Sequence, residues 1–139
     1  AIRASGLIIF ATTAAEPHVT NLDLFSHRPT VLNLSLRDLS PDIILGSANI
    51  LDDIEHCLRA NTSPHLAEQQ SGSRDFVDGT LPEVLSGAVK VPDDRPVVFS
   101  PFGLGVLDLA LGAHVHQEAI RHGDAIRIPD FFSNLSRYS

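Results

Sequence analysis

Short apolar runs alternate with helix-start signals along this chain, and this alternation limits the folds that it can adopt. The run Leu7–Ala11 is apolar at successive positions and β-branched at its centre, a pattern typical of a strand covered on both faces. Thr30–Leu36 (TVLNLSL) alternates and predicts a second strand. Strands that alternate with helices predict an α/β fold with a mostly parallel sheet.

The remaining elements are predicted from caps and apolar spacing. Thr80 and Glu83 form a T-x-x-E capping box, and Gly87 lies just beyond the helix that they predict. The polar stretch Asn61–Thr80 is predicted to be a surface excursion within the domain. The other predicted elements are a helix over Pro41–Ala48, a brief strand at Asn49–Leu51, helical spacing over Asp53–Ala60, a helix near Leu81–Ser86, a strand at Pro96–Ser100 and a long helix from Leu104 to His122.

Composition excludes several classes of protein. The 139 residues fit one small domain, and 43% hydrophobic with 19% charged residues is enough for a packed core. No apolar run approaches 20 residues and no secretion signal is visible, so we expect a cytoplasmic protein without a membrane partner. The net charge of −7 with scattered basic residues disfavours a nucleic-acid partner. The single cysteine, Cys57, excludes an internal disulfide.

The beginning of the chain is unusual for a complete open reading frame. Methionine is absent, and the strand-like run Gly6–Phe10 begins almost at once. This predicts a fragment, or one piece of a larger fold. A processed or trimmed domain is an equal alternative.

Polar and glycine-containing segments follow the predicted strands. Parallel sheets place ligands at the carboxyl ends of their strands, so these segments are the candidate site. They are Thr12-Thr13-Ala14, Ser35–Asp38, Asp52-Asp53 and Phe102–Gly105.

The pair Gly103-x-Gly105 has the context of a phosphate-binding turn, because it follows a strand and opens a helix. The position of a third glycine is occupied by Asp108, whose carboxylate would repel a phosphate. A tight turn that allows close approach of a neighbouring helix or a flat ligand ring is therefore favoured.

Two groups of acidic residues have alternative interpretations. Asp38 could be a general acid or base, could hold a substrate ammonium, or could be a turn aspartate bonding local N–H groups; the residues alone favour the turn. The cluster Asp52-Asp53-x-Glu55-His56 resembles a metal site, but its spacing spreads the side chains over different faces, so no metal is predicted.

The remaining candidates favour structural roles. His114 and His116 lie about 200° apart on a helix and are predicted to be separate half-buried histidines. Cys57 lies on the apolar face of its helix and is predicted to be a buried structural thiol.

Several longer segments follow one another along the chain: Thr12-Thr13-Ala14, VLNLSLRDLSP, ILDDIEHCLRANTSPHLAE, LPEVLSG and VVFSPFGLGVLDLALG. In this order they resemble the ornithine cyclodeaminase and μ-crystallin family, and within it the branch that forms 2,3-diaminopropionate for siderophores or antibiotics. The resemblance covers Gly6 to about Tyr138.

The resemblance implies the distal half of a Rossmann-like parallel sheet with helices, plus a C-terminal tail segment. Residues 1–122 would be the C-terminal part of an NAD-binding domain, and 123–139 a tail returning toward a substrate and dimerisation domain. The glycine-rich fingerprint and the basic residues that clasp the substrate carboxylate belong upstream. We therefore expect this chain alone to be inactive.

Several residue roles follow from the same resemblance. Asp38 matches the family's general acid/base, with Arg37 before it as in the diaminopropionate branch. Asp108 matches an acidic residue of the last helix. The residues implied to contact NAD are Thr12, Thr13, Ala14, Ser35, Leu36, Gly103 and Leu104.

The implied function is oxidation of an amino-acid-derived C–N bond to an imine, which water hydrolyses. The implied partners are a small amino-acid-derived substrate, the missing N-terminal half or a second chain carrying it, and a second copy in a homodimer. The alternatives are a non-catalytic scaffold or interaction module and a small-ligand binder like μ-crystallin. Two apolar surfaces predict that the chain alone is not a well-behaved monomer: the run Leu7–Ala11 and the stripe Leu107, Leu111, Val115 and Ala119. We expect it either to pair with a second polypeptide that carries the missing half or to self-associate.

Overall fold

The structure is a computed structural model, and residues 1–129 are described. The chain divides into two compact units, Ala1–Gly103 and a second that begins at Leu104. Each unit is described by itself. The predicted tail 123–139 lies partly outside the described residues.

The first unit carries the sheet and most of the helices. Its strands are β1 (Leu7–Phe10), β2 (Thr30–Asn33), β3 (Ala48–Leu51), β4 (Val77–Thr80) and β5 (Val97–Ser100). Its α-helices are α1 (Pro41–Leu45), α2 (Ile54–Cys57), α3 (Ser63–Ser71) and α4 (Leu81–Ser86). Two short 3₁₀ helices, Ile2–Ala4 and Leu22–Phe25, flank β1.

All strand pairs are parallel, which confirms the predicted α/β fold class. The strand order is β1-β2-β5-β3-β4. Val31 of β2 pairs with Val98 of β5, and Ile50 of β3 pairs with Phe99 of β5. Because β5 enters between two strands that are consecutive in the chain, the segments after β2 and β3 flank the end of β5. This places the segments carrying Asp38 and Asp52 at one edge of the sheet.

The core lies between one face of the sheet and the helices α1 and α3. Ile8, Val31 and Val98 project from the strands toward Ile43 and Ala67 of the helices. These side chains are buried, and burial of apolar area is the main stabilising term in such a unit.

The strand β1 is covered on one face only. Ile8 and Phe10 are buried, whereas Leu7 and Ile9 are each 56% exposed. The prediction that this run is covered on both faces is therefore not met within residues 1–129. The physical reason is that β1 is an edge strand and the described core helices pack on one side of the sheet.

The prediction for Asn61–Thr80 is wrong, because this stretch contains α3 and β4. Thr62 caps α3 by accepting a hydrogen bond from the His65 N–H at 3.1 Å, and Pro64 lies in its first turn. The helix ends at Gly72, whose φ of 70° is in the left-handed region that favours glycine. The sheet therefore has five described strands where the sequence predicted four.

Several predicted elements are longer than the observed ones. α1 ends at Leu45, because Gly46 closes the turn and Ala48 already belongs to β3. β2 ends at Asn33, since the N–H groups of Leu34 and Ser35 both turn to the carbonyl of Phe10. Helical structure after Asp53 extends only to Cys57.

The α4 capping box is confirmed. The Glu83 carboxylate accepts from the Thr80 N–H at 2.8 Å, and Gly87 ends the helix with a φ of 77°. The hydrogen bonds to Thr80 hold the pKa of Glu83 below its usual value.

In the second unit, α5 spans Gly105–His122, close to the prediction, and ends at Gly123. Its side chains at Leu107, Leu111 and Val115 are exposed. His114 and His116 are exposed as well, so the prediction that they are half-buried is wrong, because none of the residues of α5 is buried. None of the helices within residues 1–129 has the length and apolarity needed to cross a membrane.

Candidate functional site

The Asp38 carboxylate is the most deeply buried charged group at the carboxyl edge of the sheet. The residue is 0% exposed, although it lies in a loop between β2 and α1. The Thr12 hydroxyl donates to its Oδ1, and the Ser35 hydroxyl donates to its Oδ2. Thr12 follows β1 and Ser35 follows β2, so two adjacent strand ends hold this carboxylate. The structure brings together three of the predicted site residues.

The backbone around Asp38 is held as firmly as its side chain. The Asp38 carbonyl accepts from the N–H groups of His18 and Val19 at 3.1 and 3.0 Å. The next N–H, that of Leu39, donates to the Ser63 hydroxyl at 3.2 Å. The loop that carries Asp38 is therefore held by the segment after β1 and by the start of α3. The sequence alone favoured a turn held only by local hydrogen bonds.

His18 connects the buried carboxylate to solvent. Its Nδ1 lies 3.6 Å from Asp38 Oδ1, and its side chain is 51% exposed. The imidazole thus contacts both water and the Asp38 cluster, which comprises Asp38, Thr12, Ser35 and His18. No sequence signal singled out His18, because its link to Asp38 is formed by backbone pairing 20 residues apart in the chain.

Arg37, next to Asp38 in the chain, connects two loops through its side chain. Its guanidinium donates to the carbonyls of Ala15 and Ala60 at 3.3 and 3.0 Å. These bonds tie the loop after β1 to the segment before α3. Arg37 also lines a shallow pocket, together with Thr12, Thr13, Ala14, Ala15 and Leu36.

A second, smaller pocket lies beside Ser35. It is lined by side chains from the ends of β2 and β5 and from α2 and α3, among them Asn33, Ser35, Cys57, Thr62, Ser100 and Phe102. The Asn33 amide donates through Nδ2 to the Ser100 hydroxyl at 3.1 Å, while its Oδ1 has no hydrogen-bond partner. The sequence analysis did not select Asn33 and Ser100. Their polar side chains within otherwise apolar strands could have indicated a site.

Asp52 binds the turn after β5. Its carboxylate accepts from the N–H of Phe102 at 3.0 Å and from the N–H of Gly103 at 2.8 Å. It also accepts from the Asp53 N–H at 2.8 Å and the Cys57 thiol at 2.9 Å. Gly103 has a φ of 96°, which an L side chain would strain. We call Asp52, Cys57, Phe102 and Gly103 the Asp52 cluster.

Electrostatics within the Asp52 cluster follow from these bonds. Burial raises the pKa of Asp52, but the thiol and the three backbone N–H groups outweigh it, so the pKa lies below its usual value. Burial, followed by the hydrogen bond to Asp52, raises the pKa of Cys57 to about 12. Cys57 is buried and free, in agreement with the predicted structural thiol.

The residues Asp53, Glu55 and His56, for which the sequence predicted no metal, form a helix cap and an ion pair. Asp53 caps α2 by accepting from the His56 N–H at 2.9 Å, and the His56 ring lies 2.7 Å from the same oxygen. Glu55 pairs with Arg74 at 2.7 Å. Among residues 1–129, no three His, Cys, Asp or Glu side chains converge into a group that could hold a metal ion.

The structure separates the predicted cofactor residues into distinct places. Thr12, Ser35 and Asp38 form one cluster, while Thr13, Ala14 and Leu36 lie around the shallow pocket. Gly103 belongs to the Asp52 cluster in the first unit. Leu104 begins the second unit, where it caps α5.

No protein-family model matches this sequence, and no curated protein matches it. Solved structures do match. Thermococcus litoralis Δ1-pyrroline-2-carboxylate reductase, in complex with NADH and L-proline, superposes with a TM-score of 0.83 at 20% identity over 91% of this chain and 42% of that chain. CmnK gives a TM-score of 0.77 at 32% identity, over 94% of this chain and 40% of that chain.

A third neighbour is an archaeal alanine dehydrogenase dimer with bound NAD, with a TM-score of 0.74 at 18% identity over 91% of this chain and 41% of that chain. The chain therefore spans about two fifths of the length of each of these structures. The fold is shared: this chain has the α/β architecture of the C-terminal part of these Rossmann-like structures. This confirms the Rossmann-like α/β fold that the resemblance implied.

Proposed function

We propose that the natural polypeptide containing this chain is an NAD-dependent oxidoreductase that oxidises an amino-acid-derived C–N bond to an imine, which water then hydrolyses. The observation that carries this proposal is the Asp38 cluster. A fully buried carboxylate, held by the hydroxyls of Thr12 and Ser35, lies at the sheet edge where open parallel sheets bind ligands. Two neighbours of the same fold, a reductase and a dehydrogenase, bind NADH and NAD.

The substrate class of the proposal is an N-substituted amino acid. The resemblance to the diaminopropionate branch points to N-(1-amino-1-carboxy-2-ethyl)-glutamate, which would yield 2-oxoglutarate and 2,3-diaminopropionate for a siderophore or antibiotic. In this proposal Asp38 manages the proton on the nitrogen or on the attacking water.

The residues present fit the nicotinamide end of a dinucleotide better than its pyrophosphate. The N–H groups of Phe102 and Gly103 are occupied by the Asp52 carboxylate, so this turn offers them to no phosphate. Besides Arg37, whose guanidinium donates to the carbonyls of Ala15 and Ala60, the shallow pocket at the ends of β1 and β2 is lined by uncharged side chains, which suit a sugar or an aromatic ring. NAD⁺, when bound, supplies the hydride acceptor.

The residues that would hold NAD are those implied by the resemblance: Thr12, Thr13, Ala14, Ser35, Leu36, Gly103 and Leu104. The pyrophosphate would be bound by segments that the neighbours have beyond the part matched here. The same segments would supply the groups that bind the substrate carboxylate, and a second copy would complete a homodimer. The dehydrogenase neighbour that crystallised as a dimer with NAD supports this assembly.

The test is an assay of the natural polypeptide that contains residues 1–139. We expect NAD reduction, followed at 340 nm, with an amino-acid-derived secondary amine, and release of an amine and an oxo acid. The proposal fails if no such substrate supports NAD reduction while the protein is folded.

The exposed face of β1 favours a second candidate, a non-catalytic module that docks in a larger assembly. Leu7 and Ile9 form an apolar surface that a free domain would normally cover. Titration of the natural polypeptide that contains this chain with NAD separates the two candidates. Micromolar binding would contradict the module, because a scaffold has no reason to retain a dinucleotide site.

A further inference from the structure

The small pocket beside Ser35 contains an unsatisfied polar atom. Asn33 is only 1% exposed, and its Oδ1 has no hydrogen-bond partner within the described residues. A buried acceptor without a partner costs about 1–3 kcal/mol, so such atoms are normally paired with protein, water or ligand. Asn33 lines the pocket, which makes the pocket the place where a hydrogen-bond donor would satisfy Oδ1.

The pocket is suited to a single small molecule with both donors and acceptors. It has room for about one molecule of the size of water. The Ser100 hydroxyl accepts from Asn33 Nδ2 and retains its own proton to donate, while the Ser35 oxygen donates to Asp38 and retains lone pairs. An acceptor at Asn33, a donor at Ser100 and an acceptor at Ser35 are the partners that a bound water needs.

The pocket is connected to Asp38 through Ser35. Asp38 is fully buried, and its Oδ2 accepts the Ser35 hydroxyl proton. Ser35 lines the pocket on one side and contacts the carboxylate on the other. A proton leaving a molecule in the pocket can therefore reach Asp38 by a shift across one hydroxyl.

We infer that Asn33, Ser35 and Ser100 bind the water that hydrolyses the imine, and that Ser35 passes its proton to Asp38. This inference rests on the proposed function and deepens it. Ser35 is then the group that contacts the nucleophile, and Asp38 is the base behind it.

The proposed step balances in two stages. The water oxygen forms a bond to the carbon of the protonated imine while the C=N electron pair moves to nitrogen. One water proton goes to the Ser35 oxygen as the Ser35 proton goes to Asp38, which leaves a neutral carbinolamine. Asp38 then returns this proton through Ser35 to the nitrogen, the C–N bond breaks with its electron pair leaving on the amine, and the hydroxyl proton passes through Ser35 to Asp38 as the carbonyl forms. No oxidant is consumed in this step.

The first test is crystallographic and needs no activity. In a high-resolution crystal structure of the natural polypeptide, we expect a water within hydrogen-bond distance of Asn33 Oδ1 and Ser35 Oγ. A pocket without such a water, or an Asn33 amide turned so that a protein group donates to Oδ1, would overturn the inference. The variant Asn33→Leu should lose the water.

The second test separates oxidation from hydrolysis. In Ser35→Ala we expect NADH to form in a burst of one equivalent per site, followed by a steady state ~10²-fold slower than wild type. Borohydride should trap the accumulated imine as a reduced amine. Slowing of the burst and the steady state by the same factor would indicate a structural role and reject the inference.

Ser40→Ala is the matched control. Ser40 is a buried serine like Ser35, but its hydroxyl has no hydrogen-bond partner within the described residues, it precedes α1, and it does not line this pocket. We expect it to retain wild-type burst and steady-state rates. A wild-type protein that reduces no NAD would reject the proposed function, whereas the crystallographic test would still decide whether Asn33 and Ser35 bind a water.

Discussion

Two carboxylates at one edge of the sheet, the buried Asp38 and the half-buried Asp52, are held in different ways. Asp38 receives hydroxyl protons from Thr12 and Ser35, while Asp52 receives backbone N–H groups and a thiol. A hydroxyl can donate a proton and accept another, whereas a backbone N–H only donates. The hydroxyl partners fit the proton transfer proposed for the Asp38 cluster, whereas the backbone N–H groups bound by Asp52 fix the turn after β5.

The largest expected effect concerns the thiol of the Asp52 cluster. Because burial and the hydrogen bond to Asp52 raise the pKa of Cys57 to about 12 from an ordinary 9.0, its thiolate population at pH 8 is about 10³-fold smaller than in the unfolded chain. We expect iodoacetamide to modify Cys57 about 10³-fold more slowly in native protein than in urea, measured by mass spectrometry of the peptide. Equal rates would show that Cys57 is reactive and that the cluster is more than structural.

The next effect concerns the Asp38 cluster. Asp38→Asn keeps the size of the side chain and removes its charge and its ability to accept a proton. In the natural polypeptide we expect turnover to fall ~10²-fold or more, with little change in NAD affinity, measured by initial rates and by titration. Asp42→Asn, at an exposed position in α1, is the matched control and should retain activity. Unchanged turnover in Asp38→Asn would return Asp38 to the role of a turn residue.

A smaller effect concerns the contribution of Asp52 to the free energy of unfolding. Asp52→Ala leaves the N–H groups of Phe102 and Gly103 without their acceptor, so we expect a loss of about 2–3 kcal/mol in the free energy of unfolding, measured in urea. Asp53→Ala, which removes an exposed cap, should cost less. Equal losses in the two variants would contradict the assignment of Asp52 as the structural clamp.

The smallest effect is the pH dependence of the stability that Asp52 contributes through its hydrogen bonds to Phe102 and Gly103. The pKa of Asp52 is below its ordinary value of 3.8 in the folded protein, so its contribution to stability is present above that value and is lost as pH falls through the folded pKa. We expect the stability difference between wild type and Asp52→Asn to be constant near neutral pH and to shrink below about pH 4. If the stability difference between wild type and Asp52→Asn instead grows as the pH falls, the pKa of Asp52 is not lowered by folding.

Local signals in the sequence predicted much of the fold. The capping box at Thr80 and Glu83, and the glycines that end α4 and α5, act within one helical turn and are visible as spacing. The prediction for Asn61–Thr80 was wrong because the buried face of α3 consists of small residues such as Ser63 and Ala67. A short helix of this kind has no strong apolar stripe for a sequence to display.

The sequence by itself determined the class of the sheet and the four segments at its carboxyl edge, because strand patterns and helix caps depend on neighbours a few residues away. Only the tertiary structure placed β5 between β2 and β3, and with it the turn at Phe102 and Gly103 onto the carboxylate of Asp52, 50 residues earlier. It also brought Thr12 to Asp38 across 26 residues and Ser100 to Asn33 across 67. Hydrogen bonds over such separations depend on strand order, which parallel pairing and core packing decide and which no local pattern encodes.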